Sequence, residues 1–398
     1  MKAVLLITVV AALAVFAFGT FYFGEPTDKP KTIVYKKPLV ITKGGHYTGN
    51  YKGTKDTAAI WIQTTDTVWL DDVNLQAEAG GGVKMSGGTK VLINNLVVDG
   101  LPPSEPGDQY GRAIDNYQPA FFKLSHFTIS RTGGILIDHS KEGSSPLVQL
   151  YAGMIRNTTR QKGDGTGGDL RAGLQFNTVR NMNPASEAAW IEWYNEPGTS
   201  WVEDNFNFYN SSNFTLHDFF IKGAYPRPVT ASTYSGSGIT ADGSPAEGYT
   251  KAGATHNLEV RDGTIVSTMN AAANIAAGYN VNFHNLLIVS SGMLPDGATS
   301  DRFWSGTCIF NGGKYADSIF FNNRIEKCTI GYVNNGHENF PYPGRQDENK
   351  DRKVNRMPTG VNTFLPNPVT LDMENEAYAA WKAKASKANV VLGAVERE

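Results

Sequence analysis

The sequence predicts an all-β solenoid of stacked parallel strands, flanked by an N-terminal apolar helix and a short C-terminal helix. Three observations carry that expectation. An eight-residue pattern recurs along the chain, a second short alternating pattern precedes it at close spacing, and glycine is abundant, at 42 of 398 residues, beside a charged fraction of only 19%. Such a composition belongs to a β-rich globular chain with many turns. The length suits two or three ordinary domains, or one long solenoid.

Residues 1–24 read MKAVLLITVVAALAVFAFGTFYFG, uncharged after Lys2. A run of about 20 apolar residues can span a bilayer, and Ala17-Phe18-Gly19 offers a small-x-small cleavage site. The segment is expected to be a signal peptide, or a membrane anchor if uncleaved, so the remainder is expected to be exported to an extracellular, periplasmic or cell-surface location. Residues 25–31, EPTDKPK, form a polar linker, and the folded body starts near Thr32.

Self-similarity defines that body, residues 32–335. VWLDDVNL (68–75), VLINNLVV (91–98), FKLSHFTI (122–129), LVQLYAGMI (147–155), FTLHDFFI (214–221), LEVRDGTI (258–265), VNFHNLLI (281–288) and SIFFNNRI (318–325) share a shape. Apolar residues flank a central position occupied by Asp72, Asn95, His126, Ala152, Asp218, Asp262, Asn285 or Asn322. Asn and Asp tolerate left-handed backbone best among non-glycine residues, and their side chains bond neighbouring amides. The paired asparagines Asn94-Asn95 therefore read as scaffold, a corner between two strands. The second pattern includes AIWIQT (59–64), GVKMSG (82–87), AIDNY (113–117), GILIDH (134–139), GLQFNT (173–178), GITADG (238–243), NIAAGY (274–279) and TCIFNG (307–312). Each is a short alternating strand. Each coil is then short strand, turn, strand, corner, strand and variable loop. Nine or ten such coils would stack about 4.7–4.9 Å apart.

This arrangement resembles the right-handed parallel β-helix of the pectin-lyase-like superfamily, on the strength of Asp72, Asn95, Asp218, Asp262, Asn285 and Asn322. The resemblance implies architecture, and activity must be argued from the site. Residues 336–398 leave the pattern. A polar extended segment comes first, and then LDMENEAYAAWKAKASKANV places Met373, Ala377, Ala380, Trp381, Ala385 and Ala388 at helical spacing. That helix is expected to cap an open end of the solenoid.

Alternation assigns Ile60, Val83, Ile135, Ile239 and Cys308 to the interior and their neighbours to the outer face. Among outward residues, the acids Asp138, Glu192 and Asp242 are the catalytic candidates, because carboxylates on successive coils of one face can reach the separations that glycosidases use. ILIDHS is similar to the Trp-Ile-Asp-His strand of pectate lyases, with Leu136 in place of the aromatic. His139 then becomes a candidate base near neutral pH. Arg171, Arg227 and Lys251 could neutralise uronate carboxylates, and Trp190 and Tyr194 could stack on sugar rings.

No cofactor is required by these residues, although Asp164 and Asp169 in GDGTGGDL (163–170) could ligate Ca²⁺ through oxygen. The glycine spacing there lacks the strand-to-helix setting of a dinucleotide site. Cys308 and Cys328 could pair if stacked, or remain reduced, and no metal-type Cys/His spacing exists. A net charge of −2 excludes a basic nucleic-acid footprint. The expected partner is a polysaccharide, processed by a lyase or glycoside hydrolase. The alternatives are a non-catalytic glycan-binding or structural module and a uronate epimerase.

Overall fold

The computed structural model describes residues 33–165, 167–169, 171–225, 235–244, 250–300, 303–311, 313–333 and 362–396. The apolar N-terminal segment lies outside these, and among the described residues no helix is long and apolar enough to cross a membrane. The residues from Tyr35 onward form one compact unit.

Ten short strands, from Leu39–Ile41 to Ser305–Ile309, stack in chain order in one sheet. The longer passes of the chain between them build a second sheet of 15 strands. Its first six members, such as Thr67–Ala77, Lys90–Gly100 and Glu187–Tyr194, run unbroken through the corner. The next four passes are divided there, as in His256–Arg261 with Thr264–Thr268. Pairing is parallel throughout, so the described residues form a parallel β-helix of ten coils. Isoleucine, valine, leucine and phenylalanine fill its axis, and Ile60, Val83, Ile114, Ile135, Leu174, Phe206 and Ile239 are all inaccessible to solvent or nearly so.

The corners are left-handed, as their residue types require. Asp72, Asn95, His126, Ala152, Asp218, Asp262 and Asn285 all have φ between 50° and 60°. Asn95 Nδ2 donates to Asp72 Oδ1 at 2.7 Å, and Asn285 Nδ2 to Asp262 Oδ1 at 3.3 Å. Asn322 is a correction. Register pairs His284 with Glu326, which puts Lys327 (φ 56°) at the corner beside Asn285. Asn322 belongs instead to a second ladder, in which Asn257 donates to Asn213 at 2.9 Å, Asn280 to Asn257 at 3.1 Å and Asn322 to Asn280 at 2.7 Å. Both ladders select asparagine, so the sequence pattern slid from one to the other.

Cys308 is a second correction, because it registers with Asn274 and so stands in the outward column, where it is nonetheless buried. Cys328 is in the core, and no disulfide joins the two.

The C-terminal helix spans Leu371–Lys387, with Thr370 accepting from the Met373 amide and acids in its first turn complementing the helix dipole. It lies along the flank of the solenoid rather than over its end. Trp381 and Ala377 pack on Phe220, Val266 and Val289. The tail beyond it crosses the corners backwards. Gly393 N–H donates to Ala152 O at 3.0 Å, and Val395 N–H to Asn95 Oδ1 at 2.7 Å.

Candidate active-site groove

The outer face of the short-strand sheet presents two columns of side chains, fixed by register. One runs Lys84, Asp115, Leu136, Gln175, Asn207, Thr240. The other runs Tyr117, Asp138, Asn177, Tyr209, Asp242. An open pocket of about 560 Å³ in the second column is lined by His139, Gln175, Asn177, Thr178, Arg180 and Tyr209.

His139 enters this pocket because it occupies a left-handed corner (φ 58°) directly after the strand Ile135–Asp138. Its Nδ1 lies 2.8 Å from Asp138 Oδ1, which also accepts from Asn177 Nδ2 at 2.8 Å. A proton held on Nδ1 by that carboxylate leaves the Nε2 lone pair for chemistry. The Tyr117 ring sits 5.8 Å away.

A second group of acids lies further along the sheet. Asp204 is almost wholly buried. It accepts from Thr240 Oγ1 at 2.7 Å and Asn207 Nδ2 at 2.8 Å. Burial pushes its carboxyl above the usual range, against those hydrogen bonds. Asp242 rises to about 6, chiefly by burial and with help from Asp204, while the Gly243 N–H at 2.7 Å and the Asn207 amide oppose the shift. Glu203 is also raised, by burial first and Asp204 second, although its side chain remains open to solvent. Asp115 rises by burial in spite of Arg112 and Lys84.

The three expected acids do not converge. Asp138 and Asp242 share a column but stand three strand steps apart, about 14 Å, beyond the separations of about 5–9.5 Å that paired glycosidase carboxylates use. Glu192 is on a different face, fully buried beneath the C-terminal helix. It accepts from Arg156 Nη2 at 2.7 Å and Tyr378 OH at 3.1 Å, with Lys382 Nζ at 2.9 Å. Trp190 is a left-handed corner residue under the same helix, with Lys384 Nζ 5.6 Å from its ring centroid. Tyr194 packs against Tyr378 and lies under the Arg156 and Lys222 cations. Lys251 covers Tyr279 and Phe321, beside the Asn257–Asn280 ladder rather than the groove. Arg227 lies outside the described residues. Of the predicted binding residues that lie among the described residues, Arg171 alone adjoins the groove, where it pairs with Asp169 at 2.6 Å.

That pairing also weighs against Ca²⁺, since it gives Asp169 to a guanidinium. Among the described residues no group of three or more His, Cys, Asp or Glu is disposed to hold a metal ion.

Arg112, Arg160, Glu203, Asp204, Asn207 and Tyr209 were not legible as site residues. Between Arg156 and Asn213 the sequence patterns pick out only GLQFNT (173–178), but the stretch contains a coil of its own, with strands Leu174–Asn177, Glu187–Tyr194 and Asp204–Tyr209. Its corner is Trp190 rather than Asn or Asp, so the repeat passed over it, although DNFNFY does alternate. No protein-family model, curated protein or solved structure matches the chain.

Proposed function

We propose that this is an exported protein that binds a polysaccharide along the outer face of the short-strand sheet and acts on it beside His139. One observation carries the reading: an open pocket on a wide polar sheet face, with a histidine whose Nδ1 is held by Asp138 at 2.8 Å. A long ligand suits this surface, because the polar columns repeat at the strand spacing of about 4.7–4.9 Å.

Three chemistries fit. In β-elimination, His139 Nε2 takes the C5 proton of a uronate, the electron pair forms the C4–C5 double bond, and the O4 oxygen leaves with a proton from solvent. An epimerase would begin with the same proton transfer and return the proton to the opposite face. Hydrolysis has a separate support in Asp242, whose raised pKa keeps a protonated carboxyl available in mildly acid solution. Purified protein would be incubated with uronate and neutral glycans. A near-ultraviolet chromophore abolished by His139→Ala marks elimination, and reducing ends without the chromophore, lost in Asp242→Asn, mark hydrolysis. Altered sugar configuration without chain cleavage marks the epimerase. Binding without turnover would instead establish the non-catalytic module.

A further inference from the structure

We propose that Arg112 and Arg160 form an anion subsite in this groove, taking a carboxylate or sulfate group of the bound glycan; the inference rests on the glycan-processing reading above and names its substrate class. Arg112 lies just before the strand Ile114–Tyr117, and Arg160 comes after the strand Leu147–Arg156. Their stems meet over Gly133. A Cβ there would lie 2.8 Å from Arg160 Cγ, 2.9 Å from Arg160 Cδ and 3.4 Å from Arg112 Cγ, so only glycine leaves room for both side chains.

The two guanidiniums are brought together without a counterion. Neither makes an ion pair within 4.0 Å among the described residues, whereas neighbouring Arg171 has Asp169 at 2.6 Å. Arg112 has only long contacts of 3.4 Å to Gly133 O and Gln175 Oε1. Arg160 Nε is buried with no acceptor. Burial, followed by repulsion from Arg171, draws Arg112 down to about 10 and lowers Arg160 as well. Asp169 attracts Arg160, Asp138 attracts Arg112 and Asp115 attracts both, but none of these carboxylates lies within 4.0 Å of either guanidinium. A desolvated cation without a partner is costly, and an anion at bonding distance offsets that cost. The planar fork of a guanidinium matches the two oxygens of a carboxylate or sulfate.

Position ties this pair to the proposed chemistry. Gln175 contacts Arg112 and also lines the His139 pocket. The strand after Arg112 pairs directly with the strand that carries Asp138 and leads to His139. Arg112 enters the coil before that of the base and Arg160 the coil after it, one strand spacing of about 4.8 Å to either side, at the end of the strands opposite His139.

The test is calorimetric titration of the full chain with polygalacturonate, methyl-esterified polygalacturonate and dextran sulfate, using wild type, Arg160→Gln and Arg112→Lys. Wild type is expected to bind one of the anionic polymers at least tenfold more tightly than the neutral ester, and Arg160→Gln to lose at least tenfold of that affinity while ester binding stays unchanged. Arg112→Lys keeps the charge but loses the fork, and should fall between them. Unliganded Arg160→Gln should melt no lower than wild type, because an uncompensated charge has been removed. Equal affinity for charged and neutral polymers, no anion binding, or a lower melting temperature with unchanged binding would each overturn the subsite. Turnover of a neutral glycan alongside such a result would leave the processing reading standing. Anion binding without turnover of any glycan would overturn that reading and keep the subsite.

Discussion

His139 and Asn95 use the same backbone conformation for different ends. Left-handed φ at His139 turns the ring off the sheet into the pocket, and Ala152 shows that alanine is accommodated at such a corner in this solenoid. His139→Ala is therefore expected to fold with wild-type stability and to lose about 10²–10⁴-fold in turnover, the contribution of a positioned base. Asp138→Asn, which disturbs the tautomer but keeps the ring, should lose less; equal rates for all three proteins in a chromophore assay would remove the base. At Asn95 the side chain binds Asp72 and the Val395 backbone instead. Asn95→Ala should lower unfolding free energy by about 1–2 kcal/mol in a denaturant titration, since the site is only partly exposed and water replaces some of the bonds. Corner residues such as Asp72 and Asn285 were legible because a left-handed backbone selects amino-acid types. Arg112 and Arg160 were not, because what makes them a pair is Gly133, an absence of side chain between two distant segments.

The C-terminal helix shows what an element-scale reading can and cannot extract. Its existence was legible in apolar spacing, and Ala377, Trp381 and Ala385 are buried as that spacing requires, but Ala380 and Ala388 are exposed and Glu374 is buried instead. Its seat was not, because alternation marks a residue as outward without saying whether another element covers it. Glu192 is the instructive case. The partners that explain it, Tyr378 and Lys382, arrive more than 180 residues later in the chain. Removing its charge should unfasten the helix rather than affect chemistry. Glu192→Gln leaves Arg156 and Lys382 without their carboxylate, but both are about a third or more exposed and can rehydrate. The expected loss is therefore about 1–3 kcal/mol, below that of a fully buried pair. Limited proteolysis should then cut first within the helix, with glycan turnover retained; lost turnover with an intact helix would make Glu192 a catalytic candidate again.

A solenoid stacks equivalent positions one strand apart over its whole length, so like charges on one face are forced together unless the sequence avoids it. Here Asp204 and Asp242 stand on adjacent short strands, joined through Asn207. Both carboxyls are raised, which makes the molecule's stability depend on pH in a direction opposite to that of a salt-bridged acid. A carboxyl that ionises near 3.8 when unfolded and at about 6 when folded binds more protons in the folded state between those values. Its stabilising contribution is complete below about 3.8 and is lost as pH rises through about 6. The change for Asp242 is on the order of 1–3 kcal/mol, with Asp204 acting in the same sense. Asp218, lowered by His217 and Lys384 against its own burial, loses its contribution only as pH falls below the usual carboxylate range, outside this window. His217, raised by Asp218, loses its contribution as pH climbs above the ordinary histidine value. Glu203, raised to about 7, and Asp115 act in the same sense as Asp242, while His256, lowered by burial, opposes them over the upper part of the range. Unfolding free energy should therefore decline between about pH 4 and 7, and Asp242→Asn should flatten that decline and be the more stable protein at pH 7. Such a gain at a groove residue would mark strain kept for function rather than for folding. Denaturant titrations of both proteins at half-unit pH steps decide the matter, since parallel curves would mean that Asp242 ionises in the folded chain as it does in the unfolded one.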